Sequence, residues 1–163
     1  RYGIRGEILI LGFTDVRRAK ELKTYRLTQT LIDFPYAEKL NRQKIPVYVH
    51  IAIDSGMHRL GLDTDDLDGV QKLFQMKHLR IQGIFTHLCC ADSRKPEDIS
   101  FTRKQIRSFY GLIPKSIFKA AMAFSITRIF PAIMCGRAFL YMEFSALRMI
   151  GRSCSQSSAR SLP

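Results

Sequence analysis

Residues 7–115 alternate short apolar runs with amphipathic stretches, and this rhythm constrains the fold more than any other feature of the chain. The apolar runs fall at 7–12, 25–31, 46–53 and 79–85, and the run Pro46-Val47-Tyr48-Val49-His50-Ile51-Ala52-Ile53 is the richest in β-branched residues. Between and after them lie stretches with helical spacing at 15–23, 34–42, 65–76 and 96–112; in the third, Leu67, Val70, Leu73 and Phe74 share one face. Asp15 is placed to cap the first of these, and the acids at 63–68 read as a helix cap because the order of a calcium loop fails from every start. Buried strands separated by helices of about 10–15 residues are the signature of βαβ units and a parallel sheet. Such units close into a barrel or open into a doubly wound sheet. No G-x-G-x-x-G follows the first strand, which weakens the dinucleotide-binding form of the open sheet.

Residues 116–163 follow no such rhythm. They mix Met and Arg with apolar residues, end in scattered serines, and carry a single acid, Glu143. Of the net charge of +12, +7 lies in 1–115 and +5 in this tail. A basic chain can bind nucleic acid through counterion release, but here no basic run reaches five residues, so a basic nucleic-acid-binding module rests on net charge alone. No apolar run approaches the roughly 18 residues of a membrane helix. The chain opens at Arg1 without Met, and its first residues lack the apolar stretch of a signal peptide, so a cut N-terminus is expected. The four cysteines contain no C-x-x-C pair, which removes support for a structural zinc site and for a disulfide framework; a reducing cytoplasm fits them best. The adjacent pair Cys89-Cys90 reads as packing.

In parallel βα units chemistry gathers at the carboxyl ends of the strands. Two such loops are rich in functional side chains. Asp54-Ser55-Gly56-Met57-His58-Arg59-Leu60-Gly61 combines glycines that permit a sharp turn with Arg59, whose fork of donors suits a carboxylate or a phenolate oxygen. Thr86-His87-Leu88-Cys89-Cys90-Ala91-Asp92 places His87 at the end of the last strand, where an imidazole can bond a cofactor group or orient an arginine; a surface arginine and a satisfied polar histidine are the plain alternatives.

These strings, together with Gly6-Glu7-Ile8-Leu9-Ile10-Leu11-Gly12, Leu27-Thr28-Gln29-Thr30, Val49-His50-Ile51 and Gly83-Ile84-Phe85-Thr86-His87-Leu88, resemble the N-terminal barrel of bacterial alanine racemases. The Leu-Thr-Gln-Thr and Gly-Met-His-Arg-Leu-Gly forms also resemble the racemase domain of serine/alanine racemases from vancomycin-resistance clusters. The resemblance implies an α/β fold, a partial (β/α)8 TIM-type barrel of about four βα units over 1–115; by its composition the remainder, 116–163, is expected to be an irregular, poorly ordered tail. The resemblance implies pyridoxal phosphate as cofactor and L- and D-alanine, or serine, as substrates, in a homodimer that acts on no nucleic acid and has no membrane segment within this chain. Alanine interconversion would supply peptidoglycan precursors. Arg59 matches the arginine that contacts the substrate carboxylate and the cofactor's ring oxygen; His87 matches the histidine bonded to a second arginine, which faces the pyridine nitrogen. At Ala52 many relatives carry a carbamylated lysine that braces the arginine. Alanine cannot do this, so the brace is expected to be absent or replaced, for example by an anion. A non-catalytic barrel that binds the same cofactor would lack the Gly-Met-His-Arg-Leu-Gly loop.

Racemisation requires two opposed bases. In the family these are the Schiff-base lysine of the first strand and a tyrosine from the partner subunit. The first is expected upstream of Arg1 and the second downstream of a frameshift near Lys115–Ser116, so this chain alone is expected to hold no catalytic base and to be inactive. The tail itself is read as out of frame. With plausible codons, the frame opening on the last base of Ser116 encodes H-F-Q-S-S-Y-G-I-L-N-Y-P-D-F-P-C-D-Y-V-R-P-G-I-F-I-Y-G-V-L, which resembles the family's next segment with its phosphate-binding serines and R-P-G arginine.

Overall fold

The computed structural model describes residues 6–120, 124–134 and 137–146, with side chains described over 6–112. In chain order the elements are strand β1 (Ile8–Ile10), a 3-10 turn (Val16–Arg18) running into helix α1 (Ala19–Thr24), β2 (Leu27–Leu31), α2 (Phe34–Arg42), β3 (Val47–Asp54), the short β4 (Leu62–Asp63), α3 (Leu67–Phe74), β5 (Leu79–Leu88), α4 (Pro96–Ala120), β6 (Phe124–Met134) and β7 (Arg137–Ala146). Each expected strand and helix of 7–115 is present. The helix starts are fixed by side chains that accept orphan amide protons: Asp15 from Arg17, Asp33 from Tyr36 and Asp66 from Gly69.

The sheet order is β1-β2-β3-β5-β7-β6, and β1, β2, β3 and β5 pair in parallel. Strands added on one side, in sequence order and without reversal, describe a wall of a singly wound barrel; a doubly wound sheet turns back on itself at a switch point. The sequence left both arrangements open, and the topology selects the partial barrel.

Strand periodicity sorts the side chains into two faces. Val47, Val49, Ile51 and Ile53 of β3, with Leu79, Ile81 and Ile84 of β5, form the main core against Ala19 and Leu22 of α1, Ala37 and Leu40 of α2, Val70 and Leu73 of α3, and Phe109 and Leu112 of α4. On the opposite face Ala52 and Phe85 pack with Leu9, Leu11 and Leu60. That second face corresponds to the inside of a barrel.

A bulge decides what β5 shows there. The β3–β5 register passes from Val49↔Ile81 to His50↔Gly83, so Gln82 is an extra residue. Ile81 and Ile84 therefore lie in the main core, while Phe85 moves to the inner face. Alternation then carries His87 to the same face as Phe85.

Of the tail expected over 116–163, residues 116–120, 124–134 and 137–146 are among the described residues. Helix α4 continues to Ala120, and β6 and β7 form an antiparallel hairpin added to the free side of β5. The apolar, aromatic-rich strings FSITRIFPAIM and RAFLYMEFSA suit strands, and strand pairing satisfies the β5 edge. Residues 147–163, the serine-rich end of that expectation, lie outside the described residues.

Candidate functional site

The carboxyl ends of β3 and β5 lie side by side, with Ile53 paired to Thr86. The two loops singled out from the sequence therefore meet at one rim. The β3 loop is organised by one carboxylate. Asp54 Oδ1 accepts the amide protons of Gly56 at 2.9 Å, Met57 at 2.9 Å and His58 at 3.0 Å. The Asp54 side chain is only 10% exposed. Burial pushes its carboxyl up, but the bonds from His58, Gly56 and Met57 outweigh it and hold the pKa below the usual 3.8. The imidazole Nδ1 of His58 stands 3.8 Å from Asp54 Oδ2 at the surface.

The loop closes on Gly61, which has φ +120 and whose amide donates to the Ile32 carbonyl at 2.7 Å. A Cβ there would stand 2.7 Å from the Asp54 nitrogen and 2.9 Å from the Ile53 carbonyl carbon. Only glycine lets the chain turn back against β3 so tightly. As a result Leu60 is folded onto Ala52 and Phe85, across the inner face, and Arg59 is carried at the rim just before it. Arg59 is exposed, and its guanidinium has no hydrogen bond or ion pair among the described residues. Ala52 is 2% exposed and offers no polar group toward the loop, so nothing contributed by that position braces the arginine.

His87 lies half-buried at the end of β5, one residue after Thr86. Thr86 Oγ1 and Ser55 Oγ share a hydrogen bond of 2.7 Å that ties the two loops together. Further down the inner face, His50 is 2% exposed and burial pushes its imidazole down to about 4, so it is neutral at pH 7. Beside it in the β2 register stands Thr30, whose buried Oγ1 has no hydrogen-bond partner among the described residues.

Sequence reasoning missed the residue that joins the loops from behind. Gln105 of α4 is fully buried. Its Nε2 donates to the His87 carbonyl at 3.2 Å and to Ser55 Oγ at 3.4 Å. Its Oε1 accepts from the Cys89 amide at 3.3 Å and the Cys89 thiol at 3.5 Å. The signal was present: Phe101, Gln105 and Phe109 fall at i, i+4 and i+8, so a glutamine sits on an apolar helical stripe, where a buried amide must find partners.

The arrangement places an exposed cation at the rim, and a half-buried imidazole and a neutral buried histidine on the inner face. It can hold a small anion at Arg59 and a polar ring edge near His87. Among the described residues no three His, Cys, Asp or Glu side chains converge as a metal site, and no helix is long and apolar enough to cross a membrane.

Comparison with known proteins gives the same direction. The chain is 52% identical over 118 residues to an amino-acid racemase of Enterococcus faecalis, a match that covers 71% of this chain and 17% of the relative. It is 41% identical over 106 residues to a serine/alanine racemase of Enterococcus gallinarum, covering 65% and 15% respectively. The structure superposes on the alanine racemase of Clostridium difficile 630 with a TM-score of 0.63 and 27% identity, over 72% of this chain and 31% of that one. The chain thus spans less than a third of each of these proteins. A family model described as alanine racemase, N-terminal domain, matches residues 1–126, and with a parallel wall of sequence-ordered strands beneath that match the chain belongs to the alanine racemase family.

Proposed function

We propose that this chain is the substrate-facing half of an N-terminal racemase barrel, and that the protein of which it is a part interconverts the L and D forms of a small amino acid. The observation that carries this reading is the placement of Arg59: an exposed guanidinium without a partner, on a loop that Leu60 and Gly61 fold over the inner face. The proposed cofactor is pyridoxal phosphate, which when bound withdraws electrons from the amino acid and makes its α-hydrogen acidic. The residues present fit one side of that group. Arg59 would hold the substrate carboxylate and the ring oxygen, and His87 would orient the cation facing the ring nitrogen. The orphan hydroxyl of Thr30 and the neutral His50 give the wall polar contacts without adding charge. Among the described residues, none is assigned to the phosphate.

Alanine is the proposed substrate and peptidoglycan precursors the proposed destination, with serine as the second reading. Serine is favoured by the 41% identity to a serine/alanine racemase. A homodimer in the cytoplasm is proposed for the whole protein, without a nucleic-acid partner. Residues 1–115 are proposed as the barrel fragment and 116–163 as an out-of-frame continuation; this chain alone is then inactive, with its two opposed bases supplied elsewhere.

Two experiments test the reading. DNA sequencing across the codons for Lys115 and Ser116 should show a single-base shift, and an intact frame that encodes the same tail in related strains would refute it. The protein encoded by the frame-restored, full-length gene should interconvert L- and D-alanine or serine. Arg59→Ala in it should lower kcat/KM about a hundredfold, the ~2.7 kcal/mol of one lost charge-assisted contact. An Arg59→Ala enzyme of undiminished kcat/KM would refute the role of Arg59.

A further inference from the structure

The turn that follows β5 holds a feature that racemase chemistry does not use. Cys89 and Cys90 are both partly exposed free thiols, and their sulfurs stand 3.9 Å apart. The Cys89 amide and thiol both donate to Gln105 Oε1, at 3.3 and 3.5 Å, and the Ser93 amide donates to the Cys90 carbonyl at 3.1 Å, closing the turn. Successive side chains of an extended strand point to opposite sides; here the turn brings both sulfurs together.

Three pieces of chemistry narrow what such a pair can do. A disulfide between neighbours is strained, because successive Cα atoms lie about 3.8 Å apart and an unstrained bridge needs about 4.4–6.8 Å. A tetrahedral zinc site needs four ligands, and among the described residues no third His, Cys, Asp or Glu joins the pair. A centre satisfied by two sulfurs fits. Two thiolates held about 2.3 Å from one pyramidal trivalent centre lie roughly 3.3–3.5 Å apart, so the sulfurs, 3.9 Å apart in the free thiols, need to close only slightly. Soft centres prefer thiolate to the oxygen ligands nearby.

We propose that Cys89 and Cys90 form a chelating dithiol for a soft, thiophilic centre that accepts two sulfur ligands, with monosubstituted trivalent arsenicals as the type ligand. With an arsine oxide, both S–H bonds and the arsenic–oxygen bond break, two As–S bonds form, and the oxygen leaves with both protons as water. Arsenic stays trivalent and nothing is oxidised. Gln105 pre-orients the first thiol, so little ordering is required when the second bond closes. Ligation also removes the proton that Cys89 donates to Gln105, so the occupied site acts on the same glutamine that ties Ser55 to the His87 carbonyl.

The test uses the full chain with Cys135→Ser and Cys154→Ser, so that only the pair remains, and phenylarsine oxide as the probe. Intact mass should show one adduct per chain, and thiol titration should show both sulfurs blocked. The adduct should survive excess glutathione and be released by dithiothreitol, because the second sulfur is held at high effective concentration. Adding Cys89→Ser or Cys90→Ser should lower retention under glutathione by about tenfold or more. Equal retention by either single-thiol chain, or one titratable thiol left in the two-thiol adduct, overturns the proposal. No cofactor or amino acid enters the assay, so failure here leaves the racemase reading standing, and the converse holds.

Discussion

Removing one carboxylate should loosen the loop that carries Arg59. In Asp54→Ala, the amides of Gly56, Met57 and His58 lose the single oxygen that accepts all three, at 2.9, 2.9 and 3.0 Å. A hydrogen bond to a charged group is worth about 1.5–3 kcal/mol net. The three do not add, since they share one atom and the exposed end of the loop is rehydrated when freed. About 2–3 kcal/mol is the expected loss, a fall of roughly 5–10 °C in Tm for a chain of this size. Asp54→Asn keeps the acceptor oxygen but not the charge, and should lose about half as much. The acid limb separates the charge from the shape. The pKa of Asp54 is depressed in the fold, so its contribution is fully present above the ordinary 3.8 and is lost as pH falls below that value toward the folded pKa. Urea unfolding monitored by circular dichroism should therefore show the native chain losing its advantage over Asp54→Asn as pH drops below 3.8. Limited proteolysis at neutral pH should cut the Asp54→Ala chain within 55–61 before the native chain. Unchanged urea midpoints, or native and Asp54→Asn curves that stay parallel on acidification, would refute the claim that this carboxylate holds the loop.

The remaining expectations use different handles. Gly61→Ala places a Cβ 2.7 Å from the Asp54 nitrogen at φ +120, so strain and backbone overlap should together lower stability by about 3–5 kcal/mol, measured by urea unfolding; a loss under about 1 kcal/mol would contradict the close approach. Gln105→Ala strips the Cys89 amide of its acceptor and leaves a void; a loss of about 2–3 kcal/mol is expected, with faster hydrogen exchange at the Cys89 amide as the specific sign of its broken bond. Burial depresses His50 from 6.5 to about 4, so its contribution is complete above pH 6.5 and shrinks as pH falls toward 4, with a slope of at most about 1.4 kcal/mol per pH unit; His50→Gln should flatten that limb of the stability curve.

Much of this protein is written in its local pattern. Strand and helix follow from periodicity, because a half-buried element must repeat its apolar residues at its own period, and Asp15, Asp33 and Asp66 cap their helices through bonds to amides two or three residues away. The loop with Arg59 was legible for the same reason: its glycine turn and its three-amide carboxylate involve neighbours in sequence. The hairpin β6–β7 was not legible, since a strand added to an open edge is selected by the edge it finds. Gln105 was overlooked because its partners, Ser55, His87 and Cys89, lie 50, 18 and 16 residues away, and only packing brings them within reach.

Local pattern suffices to show that residues 7–115 form βα units and that Arg59 and His87 follow strands. Long-range packing is what adds these strands in order as a barrel wall and sets His87 on its inner face. Strict alternation along β5 would put residues 81, 83, 85 and 87 on one face, but the extra residue at Gln82 shifts Phe85 and His87 to the face opposite Ile81. A period of two specifies which side chains travel together; the register against a neighbouring strand specifies where they go.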